Sequence, residues 1–251
     1  MFAIEQSDVG RIVVPRTIPS GKALFYTTLD FDGHLDGEIV RVLAQRFGID
    51  ATLATCNQVH GTTVECVGRG SPVAGRRGLS ALRPLRPATR DLRPNGECDA
   101  LWTEQHHVAL GIKIADCLPV TLIDGDAIAN IHSGWRGAVQ RITAITLDTI
   151  TRGSSFDPKS AYAYLGPSIR VCCFEVGEEV AVRFPSTFVD RTHAKPHVDI
   201  AALTVDLLRQ RGFASDRIFD SGLCTRCDGS IFHSFRRDGP RGGRNLAIVA
   251  Q

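Results

Sequence analysis

The dipeptide Asp124-Gly125 stands between two short apolar runs, Val120–Ile123 and Ala127–Ile131. An Asp-Gly pair flanked in this way is a strong two-residue hairpin signal, because a type I′ turn needs φ > 0 at both central positions. With those two residues as the loop, Ile123 opposes Asp126 and Cys117 falls directly opposite His132. Directly opposed residues share a face with Cβ atoms roughly 4.5–5.5 Å apart. Such a pairing suits two ligands on one metal, or a nucleophile and its base. A three-residue Asp-Gly-Asp loop would instead set His132 against Leu118 and turn thiol and imidazole to opposite faces. Pro119 marks a strand start or an edge at this point.

Elsewhere the pattern mixes helices and strands. Glu38–Phe47 carries a helical apolar stripe ending at Gly48, and Asp199–Arg211 reads as a helix with Asp199 at its N-cap and Gly212 at its stop. A helix is expected over Ala138–Thr151 and a short one over Gly177–Phe184. Strands are expected at Ala51–Thr55, Thr62–Val67, Val108–Ile114 and Ala161–Leu165, with Ile231–Phe235 and Leu246–Ala250 closing the fold. Between Gly68 and Gly96 lie seven arginines, four prolines and five glycines, a density that prevents a regular element and reads as a solvated loop. No linker divides residues 1–251, so the chain reads as one mixed α/β domain.

Composition excludes several classes. At 43% hydrophobic and 22% charged residues, the chain has the side chains for a real core. No apolar run reaches the roughly 18–20 residues that span a bilayer. Met1–Arg16 holds no apolar signal-peptide core, so a cytoplasmic location is expected. A net charge of +2 makes no case for a membrane or nucleic-acid partner. Eight cysteines without a secretory signal read as thiols or metal ligands rather than a disulfide framework. Cys224-x-x-Cys227 has the spacing of a metal-binding pair but no evident second pair, and Cys172 and Cys173 beside an apolar run read as packing.

Several blocks together carry a resemblance. They are Gln58-Val59-His60-Gly61, Ala115-Asp116-Cys117-Leu118-Pro119, His132-Ser133-Gly134-Trp135-Arg136-Gly137, Leu165-Gly166-Pro167-Ser168-Ile169, Cys172-Cys173-Phe174-Glu175-Val176-Gly177, Cys224-Thr225 and Ser234-Phe235-Arg236-Arg237-Asp238. In this order they resemble the bacterial laccase-domain, or polyphenol-oxidase-like, family, whose members are also read as purine nucleoside phosphorylases acting on adenosine as deaminases. The resemblance implies a single α/β domain of mixed β-sheets layered with helices, an α/β/β-type sandwich. It also implies a metal held by His60, Cys117 and His132. Two departures stand out. Ser133 replaces the usual alanine, and Phe25–His34 lacks the arginine of the family's opening turn, a candidate phosphate ligand.

One cysteine and two histidines suit zinc, which with three protein ligands keeps a fourth position open; copper is the other candidate. The catalytic candidates are therefore Cys117, His132 and Asp116, the last as an acid or as an orienting carboxylate. Arg136, Arg236 and Arg237 are the candidates for phosphate, since guanidinium forks match it better than ammonium groups. The implied partners are a purine nucleoside and phosphate, with the chain a monomer or weak homodimer. Four functions remain open at this point. They are nucleoside phosphorolysis with adenosine deamination, copper-dependent phenol oxidation, a Cys117–His132 thiol hydrolase, and an anion- or RNA-binding scaffold built on the 68–96 segment. Against the second, the eight histidines include no His-x-His pair of the kind that builds multicopper centres.

Overall fold

A computed structural model describes residues 2–31, 35–68 and 96–251; residues 69–95, nearly all of the Arg/Pro/Gly-rich segment expected as a loop, lie outside them. Two six-stranded sheets face each other. The first runs β1 (Phe2–Gln6), β2 (Arg11–Pro15), β3 (Ala23–Thr27), β14 (Asn245–Ala250), β7 (Val108–Ile114) and β4 (Thr52–Thr55). The second runs β13 (Ile218–Asp220), β10 (Tyr162–Leu165), β8 (Leu118–Asp124), β9 (Ala127–Ser133), β6 (Ala100–Thr103) and β5 (Val64–Cys66). A small ribbon pairs β11 (Val189–Asp190) with β12 (His197–Val198). The helices are α1 (Leu35–Phe47), α2 (Trp135–Val139), α3 (Ile142–Gly153), α4 (Glu178–Ala181), α5 (Ile200–Gln210) and α6 (Phe235–Asp238).

Strand alternation sorts the apolar side chains into three cores. Leu110, Ile112, Ile123, Ile128, Ala247 and Val249 fill the space between the sheets. The opposite faces, with Val120, Leu122, Ala129 and Ile131, pack against Ile142, Leu147 and Ile150 of α3 and Ile200 and Leu208 of α5. On the far side, Phe25, Ala109 and Ile248 pack under Ile39, Val42 and Leu43 of α1. The layering is thus helix, sheet, sheet, helix. It agrees with the expected α/β architecture and adds α1 as an outer layer. Central strands buried on both faces explain why these segments read as continuous apolar runs rather than alternating ones.

The β8–β9 hairpin forms, but with a different loop. Asp124 pairs with Ala127 and Pro119 with His132, so the connecting residues are Gly125 and Asp126. Within that loop only Gly125 has a positive φ, 54°, the type II′ pattern with glycine in the first central position. The register therefore differs from the expected one by two residues, and Cys117 does not stand directly opposite His132. Because the side-chain period of a strand is also two, an even shift keeps every residue on its expected face. The thiol and imidazole still meet, across a diagonal, just before β8 begins.

Two other expectations are corrected. The helix expected over Ala138–Thr151 is broken at Arg141, whose left-handed φ of 63° separates α2 from α3. Ile231–Phe235 forms no strand: Ile231 and Phe232 N–H both bond Asp228 O, and Ser234 caps α6 by accepting from Arg237 N–H. Among the described residues, no helix is long and apolar enough to cross a membrane.

Candidate metal centre

Three chain segments converge at the end of the β8–β9 hairpin. His60 sits in the turn after β4 with a left-handed φ of 61°, and Cys117 follows Asp116, itself left-handed at 84°. His132 is the penultimate residue of β9. One ligand atom from each of His60, Cys117 and His132 falls within 4.8 Å of the others. The two imidazoles meet edge to face, their centroids 4.8 Å apart. His132 is buried and His60 exposed, so the group opens to solvent on the His60 side.

A buried carboxylate that the motifs did not single out organises this group. Asp99 accepts Nδ1 of His132 at 2.8 Å, the backbone N–H of His60 at 2.9 Å and that of Gly61 at 2.6 Å. One side chain thus orients one imidazole and pins the turn carrying the other. With Nδ1 engaged, His132 presents Nε2 to the centre, the carboxylate–histidine arrangement of metal sites. The signal available in the sequence was an acid immediately before the apolar run Ala100-Leu101-Trp102, where it cannot escape burial. Burial opposes ionisation of Asp99, but hydrogen bonds from His132 and from Gly61 N–H outweigh it and hold the carboxyl below its usual range. For Cys117, burial alone would raise the thiol; hydrogen bonds from His132 and His60 bring it down to about 7. For His132, burial works against the charged form, and bonds to Asp99 and Cys117 push it up to about 9.

The donors fit zinc on two observations. One sulfur and two imidazole nitrogens are its usual ligands, and Gly134 leaves room beside two of the donor residues. A Cβ at Gly134 would lie 3.0 Å from Cys117 Sγ and 3.0 Å from His60 Cδ2, so only glycine leaves that space clear.

The centre lies in a cleft of about 580 Å³. Trp135, Phe174 and Phe235 supply aromatic walls, and Lys113, Arg136, Arg236 and Arg244 supply cations. Arg136 lies over the Trp135 ring at 4.5 Å. Arg236 donates NH1 to Glu175 O at 2.9 Å and lies 5.6 Å from the Phe174 ring centroid. Arg244 and Lys113 were not singled out from the sequence, where a lone basic residue in a strand or a Gly-rich turn carries no signal.

The structure does not bring Arg237 into the cleft. Its guanidinium donates to Asp238 through Nε and NH2, to Phe232 O, and to Thr225 O and Arg226 O. Asp116 lines the cleft, but its carboxylate is held: Oδ1 accepts the Thr225 hydroxyl and Oδ2 the Arg236 N–H, each at 2.6 Å. That geometry suits an orienting residue rather than a free acid. Residues 25–31, where the family's opening arginine is missing, instead place Asp30 in a forked pair with Arg11.

Residues 37–251 match the family described as multi-copper polyphenol oxidoreductase laccase. A protein of an unknown prokaryotic organism named adenosine deaminase RL5 is 37% identical over 162 residues, 60% of this chain and 61% of that protein. Purine nucleoside phosphorylase YlmD of Bacillus subtilis is 32% identical over 160 residues, 60% of this chain and 58% of that protein. The matched segment therefore spans about three fifths of these relatives. The crystal structure of YlmD from Geobacillus stearothermophilus superposes with a TM-score of 0.77 at 22% identity, over 99% of this chain and 98% of the other.

Proposed function

The chain belongs to the multi-copper polyphenol oxidoreductase laccase family, and from that premise we propose that it is a zinc-dependent purine nucleoside phosphorylase with adenosine deamination as a second activity. The observation that carries this reading is the placement of the His60–Cys117–His132 group, oriented by Asp99, in a cleft with aromatic walls and four basic residues. A multicopper oxidation would need several coppers close together, whereas these three donors serve a single ion.

When bound, zinc supplies a Lewis acid beside the substrate. The chain's own residues do the rest. Trp135, Phe174 and Phe235 offer faces and edges for a purine, which binds through stacking and apolar contact. Arg136, Arg236 and Arg244 line the cleft and can offer phosphate oxygens the guanidinium N–H groups not already bonded to the Glu175, Gly242 and Gly243 carbonyls, in place of the cation absent from residues 25–34. Phosphate oxygen then attacks C1′ of the ribose while the C1′–N9 bond breaks. The electron pair leaves with the purine, and the proton given up by the attacking hydrogen phosphate passes through solvent to the purine ring nitrogen, giving free base and ribose 1-phosphate. Asp116 acts by position: through Thr225 and the Arg236 backbone it fixes the loop that carries Arg236 and Phe235. A cytoplasmic location accords with the nucleoside and phosphate this reaction consumes.

The test is metal analysis of protein purified without added metal, joined to chromatography of inosine and adenosine incubations with and without phosphate. Zinc, with base and ribose 1-phosphate formed only when phosphate is present, is expected. Turnover of adenosine to inosine alone, indifferent to phosphate, would remove phosphorolysis and leave deamination. Stoichiometric copper with phenol oxidation would replace both.

A further inference from the structure

Cys224-x-x-Cys227 does have a second pair. The parallel bridge between Ser168 and Cys224, with Thr225 N–H on Ser168 O at 3.0 Å, aligns the segments that lead into two turns. In one turn Cys173 and Phe174 N–H both bond Arg170 O at 2.8 Å; in the other Asp228 N–H bonds Cys224 O at 2.9 Å. Arg170 ties the two segments together, donating to Leu223 O and to Gly166 O as well as to Asp220. The turns bring Cys172, Cys173, Cys224 and Cys227 together with all four sulfurs within 4.8 Å of one another.

We propose that these four cysteines form a structural tetrathiolate zinc site, separate from the His60–Cys117–His132 centre, that staples the Arg170–Glu175 turn to the Cys224–Asp228 turn. The dimensions support an ion rather than a disulfide. Zinc–sulfur bonds of about 2.3 Å in a tetrahedron place neighbouring sulfurs ~3.8 Å apart. Cys227 Sγ lies 3.7 Å from Cys172 Sγ and 3.3 Å from Cys173 Sγ. A sulfur poised for a disulfide has one partner, whereas Cys227 is shared between two and the whole group is mutually close. Cys173 and Cys224 are buried and Cys172 and Cys227 exposed, which closes the site on its protein side and leaves it loadable from solvent.

The staple has a place in the architecture of the cleft. Phe174 follows Cys173 directly and forms a cleft wall, while Thr225 follows Cys224 directly and holds Asp116. The site thus positions both sides of the pocket without touching substrate.

Zinc content separates the two centres. Wild-type protein should carry about two zinc ions per chain. The pair Cys172→Ser/Cys227→Ser should lose one and keep the other, and His60→Ala/His132→Ala should do the reverse. Unchanged zinc in the cysteine variant would overturn the proposal whatever happens at the histidine centre, and loss confined to the histidine variant would leave the catalytic reading untouched. Should the cysteine variant fail to fold, the histidine variant alone decides. Titrating it with an organomercurial should release its remaining zinc with the consumption of four thiols, and cobalt loading should give strong thiolate-to-metal charge-transfer absorption. A zinc-free chain with these cysteines disulfide-bonded, or iron in place of zinc, would overturn the assignment.

Discussion

Single atoms set the limits of the proposed metal centre. Gly134 has φ −71° and ψ 170°, ordinary extended backbone that alanine adopts without strain. Its importance is therefore steric, since the added Cβ would press on both Cys117 Sγ and His60 at 3.0 Å. Gly134→Ala should fold with near wild-type stability yet lose zinc at this centre and with it turnover; full zinc content by mass spectrometry would contradict this. Asp99→Asn keeps the shape but puts an NH2 group where carboxylate oxygens now accept from Gly61, His60 and His132. Loss of such an outer-shell carboxylate typically weakens metal affinity about 10–100-fold, and competition with a chromophoric chelator measures it. Ser133 offers the opposite case. Its hydroxyl is buried without a hydrogen-bond partner among the described residues. Ser133→Ala should raise the unfolding free energy by about 1 kcal/mol, read from urea denaturation, and leave zinc content unchanged.

Elements show where sequence reading succeeds and where it stops. The Asp124-Gly125 signal located the hairpin, and the face shared by Cys117 and His132 survived a shift of one residue in the loop and two in the register. It survived because periodicity encodes the face of a strand directly, while the register depends on which φ angles the loop adopts, a choice between close alternatives. The helix Asp199–Arg211 was legible almost to its ends because Asp199 caps it, accepting Ala202 N–H at 2.8 Å. The N-terminal strands β1 to β3 were not anticipated, although Ser7-Asp8-Val9-Gly10 and Pro19-Ser20-Gly21 punctuate them. Long-range geometry was the least accessible. Neither the Asp99–His132 bond nor the convergence of Cys172–Cys173 with Cys224–Cys227 leaves a local pattern. The loop around α6 gives the clearest contrast between neighbours of identical type. Arg237 spends its N–H groups on carbonyls and Asp238, whereas Arg236 faces the cleft. Arg237→Ala should therefore lower stability by about 2 kcal/mol, the scale of losing charge-assisted hydrogen bonds. Arg236→Ala should instead raise the KM for phosphate with little change in melting temperature. A reversal of the two phenotypes, seen by thermal unfolding and phosphate-dependent kinetics, would refute this division.

At the scale of the molecule, two sheets with three apolar layers carry most of the stability, and polar side chains cross between the layers at particular points. Asn130 bridges the sheets by donating to Leu110 O at 3.0 Å and Ala247 O at 2.8 Å while accepting from Thr121. Around that core, arginine–carboxylate pairs pin peripheral segments, and their pH response follows from their direction of shift. Asp30 is the clearest: the Arg11 side-chain fork, at 2.7 Å on each oxygen, holds it down to about 2 against a reference of 3.8. Arg211 lowers Asp148 in the same direction. Because the folded values lie below the unfolded ones, these pairs contribute fully above about pH 4, and the contribution of Asp30 disappears as pH falls through about 2. Both partners of the Arg11–Asp30 pair retain roughly a third of their side-chain exposure, 37% and 29%. Solvent and salt therefore screen it, and its contribution should be small. Asp30→Asn should accordingly lower the urea unfolding free energy slightly at pH 7. The gap from wild type should narrow between pH 4 and pH 2, and at neutral pH it should shrink as salt is raised. A gap independent of pH would mean that Asp30 acts through its shape and neutral hydrogen bonds rather than its charge.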